Sequence, residues 1–145
     1  MNNHLNVFVY GSLREGFFNY DKYLKGKVIS ITPAKIQNKI VYHMPYKGYP
    51  AILDGNGIVY GEVMEINPDI YNDTMTAMDK MEGFISEHNP ENEYEKLILE
   101  VEHLDTDKKE NCYVYFYNKD IDSKFSSESI LISHGDWVKH MRENN

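Results

Sequence analysis

The sequence predicts an α+β fold, a small mixed and mostly antiparallel β-barrel with two or three flanking helices. The 145 residues contain six or seven segments rich in β-branched and aromatic side chains, which is typical of strands. Most of these segments are separated by short turn signals, which favour hairpins. Strands and helices do not alternate regularly, so a doubly wound parallel sheet is disfavoured. The chain length suits one domain spanning residues 1–145.

The first predicted strand covers residues 5–10 and stops abruptly at Gly11 and Ser12, as a buried strand ending in a tight turn would. Residues 17–24 predict a short helix or an ordered loop. Further strands are predicted at residues 28–36, 39–43, 49–53 and 58–66.

A hairpin turn is predicted at residues 54–57, Asp-Gly-Asn-Gly. Glycine, Asn and Asp tolerate the positive φ angles that tight hairpin turns require. The segment therefore predicts a reversal between the strands at 49–53 and 58–66.

A helix is predicted from Asn67 to Gly83. Asn67 is a suitable N-cap, Pro68 is tolerated in the first turn, and Gly83 ends the helix. Apolar residues at helical spacing predict one buried face. Glu82 therefore lies on the last turn, directly before the terminating glycine.

The C-terminal part predicts two more strands and a final helix. Residues 86–93 are polar and predict a surface loop, and residues 94–103 and 112–117 predict strands joined by a charged loop at 105–110. Residues 123–129 predict a loop. Residues 130–141 predict a short helix with Trp137 packed on the body of the protein.

The composition disfavours several classes of partner. The net charge of −8 disfavours binding to nucleic acid and to anionic membrane surfaces. No apolar stretch approaches the roughly 18 residues that span a bilayer, and no export signal is visible, which predicts a cytoplasmic location. Twelve tyrosines against six phenylalanines are compatible with a core or cleft edged with hydroxyl groups that binds a polar small molecule, and equally with tyrosine-rich strands that have no special function. The sequence does not indicate an oligomeric state.

Neither cysteine nor histidine forms a pattern typical of a reactive or metal site. The single cysteine, Cys112, lies in a predicted strand and is expected to be a packing residue. The six histidines are scattered, with no pair at metal-binding spacing. We expect neither a metal nor a cofactor, although residues distant in sequence can still meet in space.

The turn Tyr10-Gly11-Ser12-Leu13 allows three interpretations. Ser12 follows a strand as a nucleophile would, but the second glycine of a nucleophile elbow is missing and no base is specified. Gly11 can instead let the backbone approach a ligand, so that the N–H groups of the turn bind an anion. Gly11 can also simply end the strand. The residues alone leave the last two interpretations open.

Glu82 is a candidate acid or base. Its neighbours Met81 and Phe84 are apolar, and desolvation raises the pKa of a carboxyl group toward the range useful for proton transfer. A solvated glutamate at a helix end is the alternative.

Several motifs together resemble the γ-glutamylcyclotransferase-like family, over nearly the whole chain. They are residues 7–16 (VFVYGSLREG) with Asn19, 48–51 (GYPA), 59–63 (VYGEV), 78–83 (MDKMEG), Tyr94, 113–115 (YVY) and 133–137 (SHGDW). The resemblance implies a small antiparallel barrel, in agreement with the strand count. It implies that the backbone of Tyr10 to Leu13 holds a γ-glutamyl group, that Glu82 is the acid and base, and that Tyr94 and Tyr115 lie near the pocket.

The resemblance also implies a reaction: a γ-glutamyl amide cyclises to 5-oxoproline and releases a free amine, with no cofactor. Two departures leave the substrate open. Lys96 stands where related sequences often have arginine, and the polar loop at 86–93 is long. The alternative function is a non-catalytic module that binds a small molecule on the same fold.

Overall fold

Five strands close into a mixed barrel in the computed structural model, which describes residues 4–144. The strands are β1 (Val7–Val9), β2 (Val28–Met44), β3 (Tyr49–Ile66), β4 (Tyr94–His103), β5 (Lys109–Tyr117) and β6 (Ile130–Leu131). The order around the barrel is β3-β1-β5-β4-β2, closed by pairing of β2 with β3, while β6 adds to β2 outside the ring. Every pairing is antiparallel except that of β1 with β5. The predicted mixed, mostly antiparallel barrel is confirmed.

β1 is short but central. Its three residues are at most 3% exposed, which explains why the first apolar run shows no polar alternation. Val7 pairs with Met64 of β3 on one side and with Tyr113 of β5 on the other. β1 ends at Val9, and the predicted turn at residues 10–13 follows directly after it.

The predicted hairpin turn at residues 54–57 is wrong. β3 continues through this segment without a reversal, although residues 55–57 lie opposite the single β2 residue Asn38, as in a β-bulge. β2 is likewise one strand, and Asn38 has a φ of 61°. The reversal occurs at residues 45–48, where Gly48 has a φ of 83°. A Cβ on Gly55 would lie 2.7 Å from the Ile40 side chain. Glycine is therefore needed here for close packing. In the sequence, a glycine needed for close packing cannot be distinguished from a glycine needed for a turn.

Helix α2 (Tyr71–Met81) agrees with the prediction. Asn67 caps a single 3₁₀ turn at Pro68–Ile70 by accepting a hydrogen bond from the Asp69 N–H, and this turn leads into the helix. Glu82 is the C-terminal cap, followed by Gly83 with a φ of 70°. The described residues contain no helix that is long and apolar enough to cross a membrane.

The described residues form four α-helices, more than the two or three predicted. α1 (Phe18–Tyr23) lies in the segment 17–24, for which a short helix or an ordered loop was predicted. α4 (Trp137–Glu143) is shorter than the predicted C-terminal helix and contains the buried Trp137. The additional helix α3 (Phe125–Glu128) is one turn within a predicted loop. Buried Phe125 anchors it against the Tyr42 ring at a centroid distance of 5.0 Å, so a tertiary contact stabilises a polar segment.

Candidate active site

A cavity of about 260 Å³ opens at the end of the barrel where β1 stops. Its wall contains the end of β1, the beginning of α1, the β2–β3 turn and the end of α2. All seven residues singled out in the sequence line it, namely Tyr10, Gly11, Ser12, Leu13, Glu82, Tyr94 and Tyr115. The structure thus brings residues from four distant segments to one pocket. Their individual roles remain predictions.

The turn from Gly11 to Leu13, here named the cradle, presents unused backbone donors. The Arg14 N–H closes the turn on the Gly11 carbonyl at 3.0 Å. Within residues 4–144, the N–H groups of Gly11, Ser12 and Leu13 donate to no protein acceptor. Unpaired backbone donors that line a cavity are suited to bind a carboxylate or an oxyanion.

Gly11 is required by a close approach. A Cβ at this position would lie 2.5 Å from Cγ and 2.8 Å from Cδ of Pro50, closer than non-bonded carbons tolerate. Pro50 is buried, and its carbonyl accepts a hydrogen bond from the Tyr94 hydroxyl at 2.6 Å. The motif at residues 48–51 therefore packs directly against the cradle.

The Ser12 side chain is engaged by α1 rather than by a base. The Asn19 side-chain amide donates to Ser12 Oγ at 2.7 Å, and the Tyr20 N–H donates to the Ser12 carbonyl at 3.2 Å. No histidine lines the cavity, so its described wall contains no imidazole partner for a serine nucleophile. Asn19 belongs to the matching motif but was not singled out as a site residue.

Glu82 is a half-buried carboxyl in the cavity wall. Its N–H donates to the Met78 carbonyl at 2.9 Å, which fixes its backbone as the last link of α2. Burial, followed by repulsion from Glu93 and Asp79, raises the pKa of Glu82 to about 8. A carboxyl group with this pKa can both accept and release a proton near neutral pH.

Glu93 is a second pocket carboxylate that the sequence did not reveal. Its N–H donates to the Gly83 carbonyl at 3.0 Å, which holds the end of the 86–93 loop beside the end of α2. Its Oε2 atom accepts hydrogen bonds from the Tyr49 hydroxyl and, at 3.1 Å, from Lys47 Nζ. Glu93, Tyr49 and Lys47 all line the cavity. Nothing local distinguishes this glutamate from the other acidic residues of its loop.

Tyr10, directly before the cradle, is linked to α2 through two hydrogen bonds of Tyr115. The Tyr10 hydroxyl donates to the Tyr115 carbonyl at 2.6 Å, and the Tyr115 hydroxyl donates to Asp79 Oδ1. Lys96 Nζ donates to the other Asp79 oxygen at 2.9 Å. Burial raises the pKa of Tyr10 and Tyr94 far above the ordinary tyrosine value, so both hydroxyls remain protonated donors. Lys96 supports this link and does not line the cavity.

No cluster of three or more metal-binding side chains occurs in the part of the chain that the structure describes. Cys112, predicted to be a packing residue, is completely buried.

The barrel, the cradle and Glu82 together define a protein with a pocket of small-molecule size at one end of the barrel. The sequence model of the family described as "Gamma-glutamyl cyclotransferase, AIG2-like" matches residues 7–139. The chain belongs to this family, which confirms the resemblance seen in the motifs.

Two relatives with related names are similar to this chain over most of its length. One is the gamma-L-glutamyl-butirosin B gamma-glutamyl cyclotransferase of Niallia circulans, 29% identical over 123 residues, or 83% of this chain and 73% of the relative. The other is a Methanocaldococcus jannaschii protein provisionally named a gamma-glutamylcyclotransferase, 32% identical over 133 residues, or 90% and 93% of the two chains.

A solved structure supports the fold independently. The crystal structure of a mouse AIG2-like protein aligns over 94% of this chain and 89% of its own, with a TM-score of 0.65 and 17% identity. At this identity, the likeness concerns the fold alone.

Proposed function

We propose that the protein is a cyclotransferase that converts a γ-glutamyl amide into 5-oxoproline and a free amine. The observation that carries the proposal is that unpaired cradle N–H groups and a carboxyl group with a pKa of about 8 line one cavity. Family membership supports the reaction class, and the Niallia circulans relative is named for a γ-glutamyl substrate.

The cradle would hold the substrate in a folded conformation. Its N–H groups suit the α-carboxylate and the γ-carbonyl oxygen of a γ-glutamyl group. Folding brings the α-amino nitrogen against the γ-carbon, and this orientation replaces a slow conformational search with a positioned intramolecular attack.

Glu82 would move the proton. As the bond between the α-nitrogen and the γ-carbon forms, the nitrogen loses a proton to the ionised Glu82, and the γ-oxygen becomes an oxyanion. Cradle N–H groups would stabilise this oxyanion, by roughly 3–4 kcal/mol per well-placed donor in other enzymes. When the bond to the amide nitrogen breaks, the Glu82 carboxyl group returns the proton to the departing amine.

The product distinguishes the possible functions. Incubation with γ-glutamyl amides, followed by chromatography and mass spectrometry, should show 5-oxoproline and the free amine. A hydrolase would release glutamate instead. A ligand-induced rise in the thermal midpoint with no product would favour the non-catalytic binding module.

Replacing Ser12 by alanine should leave 5-oxoproline formation within about tenfold of wild type. The proposed reaction uses the N–H of Ser12, which alanine keeps, and loses only the Asn19 hydrogen bond to Oγ, worth about 1 kcal/mol. Steady-state kinetics of Ser12→Ala test this expectation. A loss of roughly a thousandfold or more would instead identify Ser12 as a nucleophile.

The rate should also depend on the ionisation of Glu82. Because the pKa of Glu82 is raised to about 8 and only its ionised form accepts a proton, kcat/KM should rise as pH increases toward 8. The Glu93→Gln variant removes a charge that raises this pKa, so the midpoint should move to lower pH. Wild type and variant are compared on the same substrate, so ionisation of the substrate affects both pH profiles equally and does not contribute to the difference between their midpoints. Coincident midpoints would contradict the role of Glu82 as the titrating base.

A further inference from the structure

Phe18 is an exposed aromatic ring in the cavity wall. Its exposure is 71%, whereas the wall residues Tyr94 and Tyr115 are 4% and 3% exposed. A large ring left in water at the edge of a concave site gains stabilisation when a ligand covers it. Phe18 is therefore placed to contact the part of a ligand that extends toward the mouth.

The position of Phe18 is fixed by its neighbours. Phe17 packs against the Trp137 ring at a centroid distance of 5.4 Å. Asn19 donates to Ser12 Oγ, and the Tyr20 N–H donates to the Ser12 carbonyl. The residues on both sides of Phe18 therefore tie the start of α1 to the cradle and to α4.

The charges at the mouth compensate each other. Lys47 Nζ and Glu93 Oε2 are 3.1 Å apart, and the Tyr49 hydroxyl donates to the same carboxylate. A leaving group with an ammonium or a carboxylate would compete with this ion pair, because each of the two charges already has a partner of opposite sign. An apolar leaving group would leave the pair intact and would contact Phe18 and Met81, which also lines the cavity.

We infer that the pocket selects γ-glutamyl amides whose departing amine has an apolar alkyl or aryl body, with Phe18 as the specificity-determining contact. This inference rests on the proposed function, because it assigns the cradle to the γ-glutamyl group and the mouth to the amine. The cradle then recognises the charged γ-glutamyl end of the substrate. The apolar body of the amine contributes to binding by burying apolar surface against Phe18.

Three neutral amides of increasing apolar size test the inference: γ-glutamyl methylamide, n-butylamide and benzylamide. For the wild type we expect kcat/KM for 5-oxoproline release to rise about tenfold from the methyl to the benzyl compound. In Phe18→Ala this ratio should fall to about twofold or less, and Phe18→Leu should give an intermediate ratio. A charged amide, γ-glutamylglycine, should be a poorer substrate than the n-butylamide.

The control is Ile121→Ala, which shortens a 53% exposed apolar residue outside the cavity wall and should keep the wild-type ratio. If 5-oxoproline forms but the ratio is flat in the wild type, or unchanged in both Phe18 variants, the inference is wrong while the proposed function stands. A preference for γ-glutamylglycine would also overturn it and would indicate that Lys47 binds a carboxylate. If no γ-glutamyl compound yields 5-oxoproline, the proposed function fails together with the inference.

Discussion

Replacing Glu82 by glutamine is expected to lower 5-oxoproline formation by about 100- to 10,000-fold, the range typical of losing a general acid–base group. Glutamine keeps the size of the side chain and its place at the end of α2, but its amide can neither take the proton from the α-amine nor return it to the leaving group. Steady-state turnover of the best γ-glutamyl amide measures the loss.

The structure offers a matched control in the same region. Glu91 is an exposed acid of the 86–93 loop that does not line the cavity, so Glu91→Gln makes the same change of side chain outside the site and should retain full activity. Glu82→Gln should remain folded, with a thermal midpoint at neutral pH no lower than that of wild type. A raised pKa means that ionising Glu82 opposes folding, and glutamine cannot ionise. Near-normal turnover by folded Glu82→Gln would refute the assignment.

Replacing Gly11 by alanine is expected to reduce both activity and stability. The added methyl group would lie 2.5 Å from the buried ring of Pro50, and overpacking of this kind costs about 1–3 kcal/mol. Relief of the clash must move the cradle, and misplacing one oxyanion donor costs about 100- to 1,000-fold in rate. Thermal unfolding and steady-state kinetics measure the two effects separately.

Gly26→Ala is the control, because it distinguishes the general effect of replacing a glycine from the specific effect of displacing the cradle. Gly26 has a φ of 80° and no atom within 4 Å of a built Cβ, and it does not line the cavity. Alanine there should cost about 1–2 kcal/mol of stability through backbone strain, with normal activity well below the unfolding transition. Equal losses of activity in the two variants would show that Gly11 has no special part in the site.

Local sequence was sufficient where a residue's role depends on its immediate neighbours. The end of β1 shortly before Gly11 and the capping of the 3₁₀ turn before α2 by Asn67 follow from runs, turns and capping chemistry that are encoded within a few residues. Glu82 is different, because its local context also fits a solvated helix end. Only the order of motifs along the whole chain distinguished it.

The missed residues of the cavity depend on contacts between distant segments. Glu93 becomes a pocket residue because its N–H bonds to Gly83 and its carboxylate bonds to Tyr49, 44 residues away. Phe18 lines the cavity on a segment whose neighbouring residue, Phe17, packs on the distant Trp137. The turn prediction was wrong at Gly55 because a glycine required for close packing against Ile40 cannot be told apart, in sequence, from a glycine required for a positive φ angle. In each case the decisive information is which segments meet, and a single sequence does not state it.

The parallel pairing of β1 with β5 has a consequence for the order of folding. The Tyr10 hydroxyl and the Tyr115 carbonyl that meet across this pairing are 105 residues apart in sequence, so these contacts are among the least local in the chain. Contacts of this kind form slowly, because a long loop must close before they contribute any stability. During synthesis, the N-terminal segment that carries the cradle must wait for β5 to leave the ribosome. The substrate pocket is therefore completed when the barrel closes, and we expect no partly folded form of the chain to hold a working site.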